Sequence, residues 1–346
     1  MLKIGWSTRD FTPTRPAMIQ GQMHTRVGRE AMDPLTANAL AIEGGDPAAC
    51  AILISCDMAY VSPGIRQEVI RRLSCRVPEV PGEAVLMFAT HTHDSLVVED
   101  GFYRHPGGDV MMPAEAAALV AERAAEAAEE AWKARAPHAV ARAFGHAVVG
   151  HNRRAAYADG SSAMYGATNR PEFIGIEGYE DHSLDMIFMW KPDGALAGVA
   201  LAIPCPSQVD EHLSMFSADY WHEVRVELKR RLGPSLFVLP LCGAAGDQSP
   251  HFLIYGREEE EMRRRRGLTE RQEIAVRVAD AVERALACTK RGPEPTAFAR
   301  LCRRAKLSPW RTTRDQRNWA AAERKRALAR GDDPASATTS FFIVTA

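Results

Sequence analysis

Short apolar runs alternate with longer helical patterns over the first 290 residues, and this alternation limits the possible folds most. The runs are apolar without a polar–apolar alternation and are bounded by Gly, Pro or Asp, which is typical of strands covered on both faces. They lie near 50–58, 84–90, 184–190, 198–204 and 235–242. Helical patterns lie at 64–75, 113–136, 218–233 and 268–289. The sequence therefore predicts an α/β fold with a mixed, largely parallel β-sheet core covered by helices.

The chain of 346 residues is long enough to bury a large core, and no Pro- or Ser-rich linker divides it. A single domain over 1–346 is therefore expected. The segment 291–346 is more polar and finishes in the apolar, strand-like "SATTSFFIVTA". Such an unpaired strand at the end of a chain is typical of an incomplete domain edge, so a C-terminal truncation is expected.

Charge and apolar patterning exclude several classes of partner. The formal net charge is −1 with 25% charged residues, which gives no bulk attraction for nucleic acid or an anionic membrane. The N-terminus shows no signal peptide, and no window has the unbroken apolar length of a transmembrane segment. Seven cysteines without a CxxC pair indicate reduced thiols. We expect a cytoplasmic protein that acts on a small molecule, in an oligomeric state that the sequence leaves open.

Two histidines follow the apolar run in "VLMFATHTHD". In a strand, positions i and i+2 lie on one face about 6–7 Å apart, so His91 and His93 are expected to face the same space. At the carboxyl end of a strand, that space is the crevice where open α/β sheets hold ligands. Imidazole is a common metal ligand and a proton shuttle near neutral pH. The alternative is a pair of hydrogen-bonded histidines with no chemical role.

The segment "LCGAAGDQSPH" brings together Asp247, Ser249 and His251. A serine hydrolase is conceivable, but the order and the tight spacing do not match the GxSxG turn that exposes a nucleophilic serine. A loop stabilised by side-chain to backbone hydrogen bonds is the alternative.

Two further segments carry candidate ligands and cations. In "AIPCPSQVDEH", Cys205 lies between two prolines at the end of an apolar run, where a thiolate is a soft metal ligand and a buried thiol is inert. Glu211 and His212 follow as ligands or surface residues. In "VVGHNRRAA", Arg153 and its neighbour Arg154 offer a fixed cation to a polarised carbonyl, or face solvent.

The order of these segments resembles the N-terminal catalytic domain of the neutral/alkaline non-lysosomal ceramidase family. "THTH", "NRR", "CPSQ" with "SADYWHEVR", and "GAAGDQSP" follow one another as in that family, and the resemblance runs over about residues 3–290. "IGWSTRDFTPT" and "DPLTANALAIEGG" resemble its opening segments. The resemblance implies a zinc-dependent amidohydrolase of sphingolipid metabolism, in which zinc-activated water cleaves the N-acyl bond of a lipid-like substrate.

The resemblance also implies roles for individual residues. His91 would be a zinc ligand, and His93 the imidazole beside the substrate carbonyl and the leaving amine. Arg153 takes the position of the arginine in the family's "NR" segment. Ser249 takes that of the "GDxSP" serine beside the polar head of the substrate. Cys205 stands where the family has a second zinc histidine, which implies a His/Cys ligand set.

Two departures from the family leave the function open. The family's late glutamate and tyrosine ligands have no match before residue 346, so Glu211, His212 or His251 would have to replace them. Without a replacement, the chain would be a catalytically silent binding or structural module. The loop "DSLVVEDGFYRHPGG" replaces a Gly-rich stretch at the acyl entrance, which leaves the acyl specificity open.

Overall fold

The computed structural model describes residues 2–46, 49–289, 297–303, 305–308 and 311–332. The expected strand-like edge at 336–346 lies outside the described residues. In chain order the strands are β1 (Leu2–Asp10), β2 (Ala17–Gln20), β3 (Arg26–Gly28), β4 (Thr36–Glu43), β5 (Cys50–Cys56), β6 (Val85–Ala89), β7 (Ser95–Leu96), β8 (Ala136–His146), β9 (His151–Asn152), β10 (Arg154–Tyr157), β11 (Ser162–Met164), β12 (Phe173–Ile176), β13 (Ser183–Trp190), β14 (Leu196–Ile203), β15 (Phe237–Cys242) and β16 (Gln248–Ser249). The helices are α1 (Pro63–Arg76), α2 (Pro113–Lys133), α3 (Tyr220–Leu232), α4 (Gly256–Arg266), α5 (Glu270–Cys288) and α6 (Arg314–Arg330).

The main sheet has eight strands in the order β15-β14-β13-β8-β1-β4-β5-β6. Within it the outer pairs β14–β15 and β5–β6 are parallel, and the other five pairings are antiparallel. The α/β fold with a mixed sheet is confirmed, but the prediction that the sheet is largely parallel is wrong. Parallel neighbours need a crossover helix, which α1 and α3 supply, whereas the short β4–β5 and β13–β14 connections permit antiparallel pairing alone.

The sheet bends so that its two ends pack against each other. β15 contacts β4, β5 and β6 although it lies at the opposite edge of the sheet. An apolar cluster that includes Ile4, Leu40, Met189 and Leu239 fills the space between the two halves. Helices α1 and α2 cover the outer face of one half, and α3 and α5 cover that of the other. The bend brings together the carboxyl ends of strands that are far apart in the sheet order.

The alanine stripe of α2 is a packing face. Ala121, Ala124, Ala128 and Ala131 are fully buried against the sheet. The helix lies so close to β1 that a Cβ added at Gly5 would stand 2.2 Å from the carbonyl oxygen of Ala131. Small side chains on both elements therefore set the distance between helix and sheet.

The described helices include none with the length and apolar character needed to cross a membrane. All seven cysteines are free, as predicted for reduced thiols, and Cys75, Cys288 and Cys302 are exposed.

Candidate functional site

The "THTH" histidines lie in a loop that follows β6, not in the strand. β6 ends at Ala89, and His91 has a φ of 62°, in the left-handed region that residues other than glycine rarely adopt. The ring centroids of His91 and His93 are 5.0 Å apart. The two rings therefore face the same space, as predicted, but a turned loop and not strand alternation brings them together.

Buried polar contacts hold this loop in place. The hydroxyl of Thr92 donates to the carbonyl oxygen of Ser217 at 2.7 Å. Asp94 forms a buried ion pair with Arg26 at 2.9 Å, and Arg26 also donates to the carbonyl oxygen of His93. The backbone of the motif is thus held by contacts on both sides of His93.

Glycine at position 21 is required by the position of His93. Gly21 has a φ of +126°, and a Cβ built on it would lie 2.5 Å from the Cβ and 2.8 Å from the Cα of His93. Because the close neighbour includes backbone, a larger residue at position 21 would have to displace the His93 loop.

The hydrogen bonding of His91 leaves one ring nitrogen available. Nδ1 lies 2.6 Å from the carbonyl oxygen of Ala59, so Nδ1–H donates and Nε2 carries the lone pair. The His91 side chain is exposed on one side, yet burial by the surrounding protein, followed by the charge of His93, lowers its pKa to about 4. A neutral imidazole that donates its other N–H to a backbone carbonyl is the usual state of a metal-ligating histidine.

Glu211 joins two imidazoles in the same crevice. Its Oε2 lies 2.7 Å from His93 Nδ1, and its Oε1 lies 3.1 Å from His251 Nε2. Burial alone would raise the pKa of Glu211, but the hydrogen bonds from His251 and His93 lower it to about 2. The same bond to Glu211 raises the pKa of His251. Glu211 is therefore an ionised carboxylate between two histidines that the sequence places 158 residues apart.

Tyr165 connects this group to the other candidates. Its hydroxyl donates to Ser249 Oγ at 3.0 Å and accepts from Gln208 Nε2 at 3.0 Å and Arg153 Nη1 at 3.4 Å. Gln208 Nε2 also donates to Glu211 Oε2 at 3.2 Å. Arg153 and Ser249 therefore belong to the same polar crevice as the histidines. The sequence analysis missed Tyr165 and Gln208.

Other candidates form the scaffold of the crevice. Asp247 accepts from Asn152 Nδ2 at 2.9 Å, and its carbonyl oxygen accepts from Arg153 N at 2.9 Å. The hydroxyl of fully buried Ser249 accepts from the backbone N of His251 at 3.1 Å. Among the described contacts of Ser249 there is no imidazole nitrogen, so a serine–histidine nucleophile pair is not assembled. His212 is exposed to solvent.

Cys205 lies in an apolar environment. The residue is fully buried in the cluster that includes Trp221 and Val149, and its thiol donates to the carbonyl oxygen of Pro206 at 3.4 Å. Burial raises the pKa of the Cys205 thiol well above its ordinary value. The predicted ligand role stays a prediction, and the surroundings are those of a packed thiol.

A compact group of possible metal ligands lies outside these residues. His151, Glu180 and His182 each offer one ligand atom, and the three atoms lie within 4.8 Å of one another. In the described part of the chain this is the one set of three that meets that distance. The sequence analysis did not single it out, because Glu180 and His182 lie in a loop with no local ligand spacing to His151.

Comparison with known proteins places the fold. No family model matches the sequence, and no curated protein matches it. A structure described as ceramidase complexed with C2 matches 83% of this chain and 44% of its own, with a TM-score of 0.62 and 16% identity. The chain folds as a ceramidase-like domain. Neutral ceramidase from Pseudomonas aeruginosa matches with a TM-score of 0.62 and 15% identity, over 83% of this chain and 45% of its own. This ceramidase-like chain thus spans less than half the length of either structure.

Proposed function

We propose that the protein is a zinc-dependent hydrolase that cleaves the amide bond of an N-acyl, lipid-like substrate. One observation carries the proposal: the Glu211 carboxylate accepts from His93 and His251, and the His91 ring, with Nδ1 engaged by Ala59, lies 5.0 Å from the ring of His93. The likeness of the fold to ceramidase structures supports the choice of an amide bond and a lipid-like acyl chain.

The donor set of the crevice fits zinc better than the expected pair of His91 and Cys205. His91 is neutral and has an available Nε2, and Glu211 is ionised, so both are in the state that metal binding requires. Histidine nitrogen with carboxylate oxygen is a common zinc donor set. Cys205 would have to lose a proton in an apolar environment to take part. We therefore propose His91 Nε2 and a Glu211 oxygen as the zinc donors, because His251 Nε2 is engaged as a donor to Glu211. Side-chain rotation would have to bring the donors together, since the ligand atoms of His91, Glu211 and His251 do not all lie within 4.8 Å of one another.

Zinc held there would polarise the substrate carbonyl and favour ionisation of a water molecule. In the hydrolysis, water adds to the carbonyl carbon, the C–N bond breaks, and the products are a carboxylic acid and an amine. His93 takes the proton from the water and delivers it to the leaving nitrogen. Its bond to Glu211 through Nδ1 orients the ring. Arg153 and the Tyr165 hydroxyl lie in the same crevice, where they can donate to a developing oxyanion.

The chain departs from the ceramidase family that it resembles, and these departures also permit a second function, that of a binding module without catalytic activity. Cys205 is packed away in an apolar cluster, and the compact metal-ligand set of the described residues lies at His151, not at His91. Turnover decides between the two functions.

The test is an amide hydrolysis assay on protein purified without a metal-affinity tag. Short-chain N-acyl sphingoid bases and N-acyl amino alcohols without a lipid tail are compared as substrates. We expect release of free amine that chelation abolishes and added zinc restores. Protein that binds zinc yet releases no amine from any of them would favour the silent module.

Replacement of Gly21 by alanine should reduce both turnover and stability. The added methyl group displaces His93, and a strained left-handed backbone costs about 1–3 kcal/mol. We expect kcat/KM to fall at least about tenfold, because misplacement of a catalytic group by about 1 Å can cost 10²-fold. Gly45→Ala is the control, since nothing lies within 4 Å of a Cβ at that position. Equal activities in the two variants would show that the position of His93 is unimportant.

Ser249→Ala should lower activity only about fivefold if Ser249 is a positioning residue. The change removes the acceptor for Tyr165, and a single hydrogen bond contributes about 1 kcal/mol, which is about fivefold in rate. A fluorophosphonate probe should leave the wild-type protein unlabelled. Loss of activity by about 10⁴-fold or more, together with labelling of Ser249, would instead identify a serine nucleophile.

A further inference from the structure

The loop that precedes β13 carries two of three residues with metal-ligand geometry. Glu180 Oε1 lies 3.2 Å from His151 Nδ1, and Glu180 Oε2 lies 3.2 Å from His182 Nε2. The carboxylate thus stands between two imidazoles, and one ligand atom from each residue falls within 4.8 Å of the others. Zinc bonds of about 2.1 Å bring ligand atoms to about 3.4 Å of one another, so small side-chain rotations would close the set.

One nitrogen of this group lacks a hydrogen bond. His182 Nε2 is buried and has no hydrogen-bond partner among the described residues, although Glu180 Oε2 is within ion-pair distance. An aligned hydrogen bond would be the ordinary arrangement for a buried imidazole nitrogen beside a carboxylate. An ion between the two side chains would satisfy both of them.

The backbone around the group is fixed by buried amide side chains. The carbonyl oxygen of Tyr179 accepts from Gln248 Nε2 at 3.2 Å and from Asn152 Nδ2 at 3.4 Å. Asp181 N donates to Gln248 Oε1 at 3.3 Å. Glu180 is therefore held between two anchored neighbours, and His151 belongs to the strand that carries Asn152. Such anchoring reduces the entropy that a bound ligand would otherwise have to overcome.

The space beside the group is accessible to small molecules. His151 and Glu180 line a cavity of about 230 Å³ whose other walls include Ile176, Phe252 and Ile254. A cation bound by three protein ligands would retain a coordination position for water or a small ligand. Three protein ligands with one open position are typical of catalytic zinc sites, whereas structural zinc sites have four protein ligands.

We infer that His151, Glu180 and His182 bind a zinc-class divalent cation at a second site, separate from the His91 crevice. Two imidazoles and one carboxylate favour zinc and its first-row neighbours over magnesium and calcium, which prefer oxygen ligands alone. The cation would link the loop before β13 to His151 in β9. His151 lies two residues before Arg153. The site is independent of the proposed hydrolase function, because none of its ligands belongs to the Glu211 network.

The test is zinc binding by full-length, metal-stripped protein in the His91→Ala background, which removes the crevice ligand. We expect this variant to bind about one equivalent of zinc and to gain thermal stability with zinc but not with magnesium. Adding Glu180→Gln or His182→Ala should weaken zinc binding at least about tenfold. Even the loss of a residue that only supports a metal ligand has an effect of about that size. Adding His146→Ala, an exposed histidine near the same strand ends, should leave binding unchanged.

Two results would overturn the second site. One is the absence of zinc binding in the His91→Ala background, and the other is binding that Glu180→Gln leaves unaltered. Glu180→Gln conserves shape at a partly exposed position, so its melting temperature without zinc shows whether the fold is retained. Neither result bears on the hydrolase, whose test is turnover and metal at His91.

Discussion

Glu211→Gln is expected to lower kcat/KM for an N-acyl amide by about 10²–10⁴-fold, the range that positioned acid–base groups contribute. The carboxylate binds His93 through one oxygen and His251 through the other. A neutral amide of the same shape offers one acceptor oxygen in place of two, so it cannot orient both imidazoles or supply an anionic ligand. Both functions of the group are lost while its packing is conserved, so the fold should be retained.

A second readout makes this prediction independent of the substrate. The hydrogen bond that His251 donates to Glu211 raises the pKa of His251, so the variant should show a lower His251 pKa in an NMR titration. Glu172→Gln is the control, because Glu172 is an exposed glutamate that pairs with Arg170 on the surface. Unchanged turnover together with an unchanged His251 pKa would remove Glu211 from the site.

The apolar runs predicted five strands of the main sheet, but not the largely buried β4 or the way the strands are connected. β5, β6, β13, β14 and β15 were all predicted within a few residues. β1 and β8 were missed because they contain exposed or half-buried residues on one face and therefore lack an unbroken apolar run. These two strands lie in the middle of the sheet and pair antiparallel, so their omission led to the prediction of a largely parallel sheet.

The candidate residues that sequence reasoning found are those that are close along the chain or match a motif. His91 and His93 share a short segment, and Glu211 and His251 stood beside motif positions. Tyr165 comes from the hairpin region after β10, in a segment with no motif, and the bend of the sheet and its loops alone place it beside Ser249. Cys205 shows the opposite problem. Its position matches a ligand position of the family, but the match does not determine whether the side chain faces the site or the core.

The roles of His91 and His93 should separate in a metal measurement. His91→Ala is expected to lose the crevice zinc and all measurable turnover, because Nε2 of His91 is the proposed ligand and Nδ1 is engaged by Ala59. His93→Ala is expected to lose turnover by about 10²–10⁴-fold and to retain most of the zinc, because Nδ1 of His93 is engaged with Glu211. Elemental mass spectrometry in a Glu180→Gln background counts the crevice zinc alone.

Cys205→Ser distinguishes the ligand role that the family resemblance implies from the packed thiol that the structure shows. Alignment alone predicts a strong loss of zinc affinity, since a hydroxyl is a poor zinc ligand. A thiol buried in an apolar cluster predicts instead unchanged zinc content and a modest loss of stability, because a more polar group replaces the sulfur. Loss of zinc in Cys205→Ser would support the His/Cys ligand set. Equal zinc loss in His91→Ala and His93→Ala would contradict the proposed division of roles between the two histidines. Zinc lost only with His91 would mean that Glu211 and the histidines, without the thiol, form the metal site of this ceramidase-like domain.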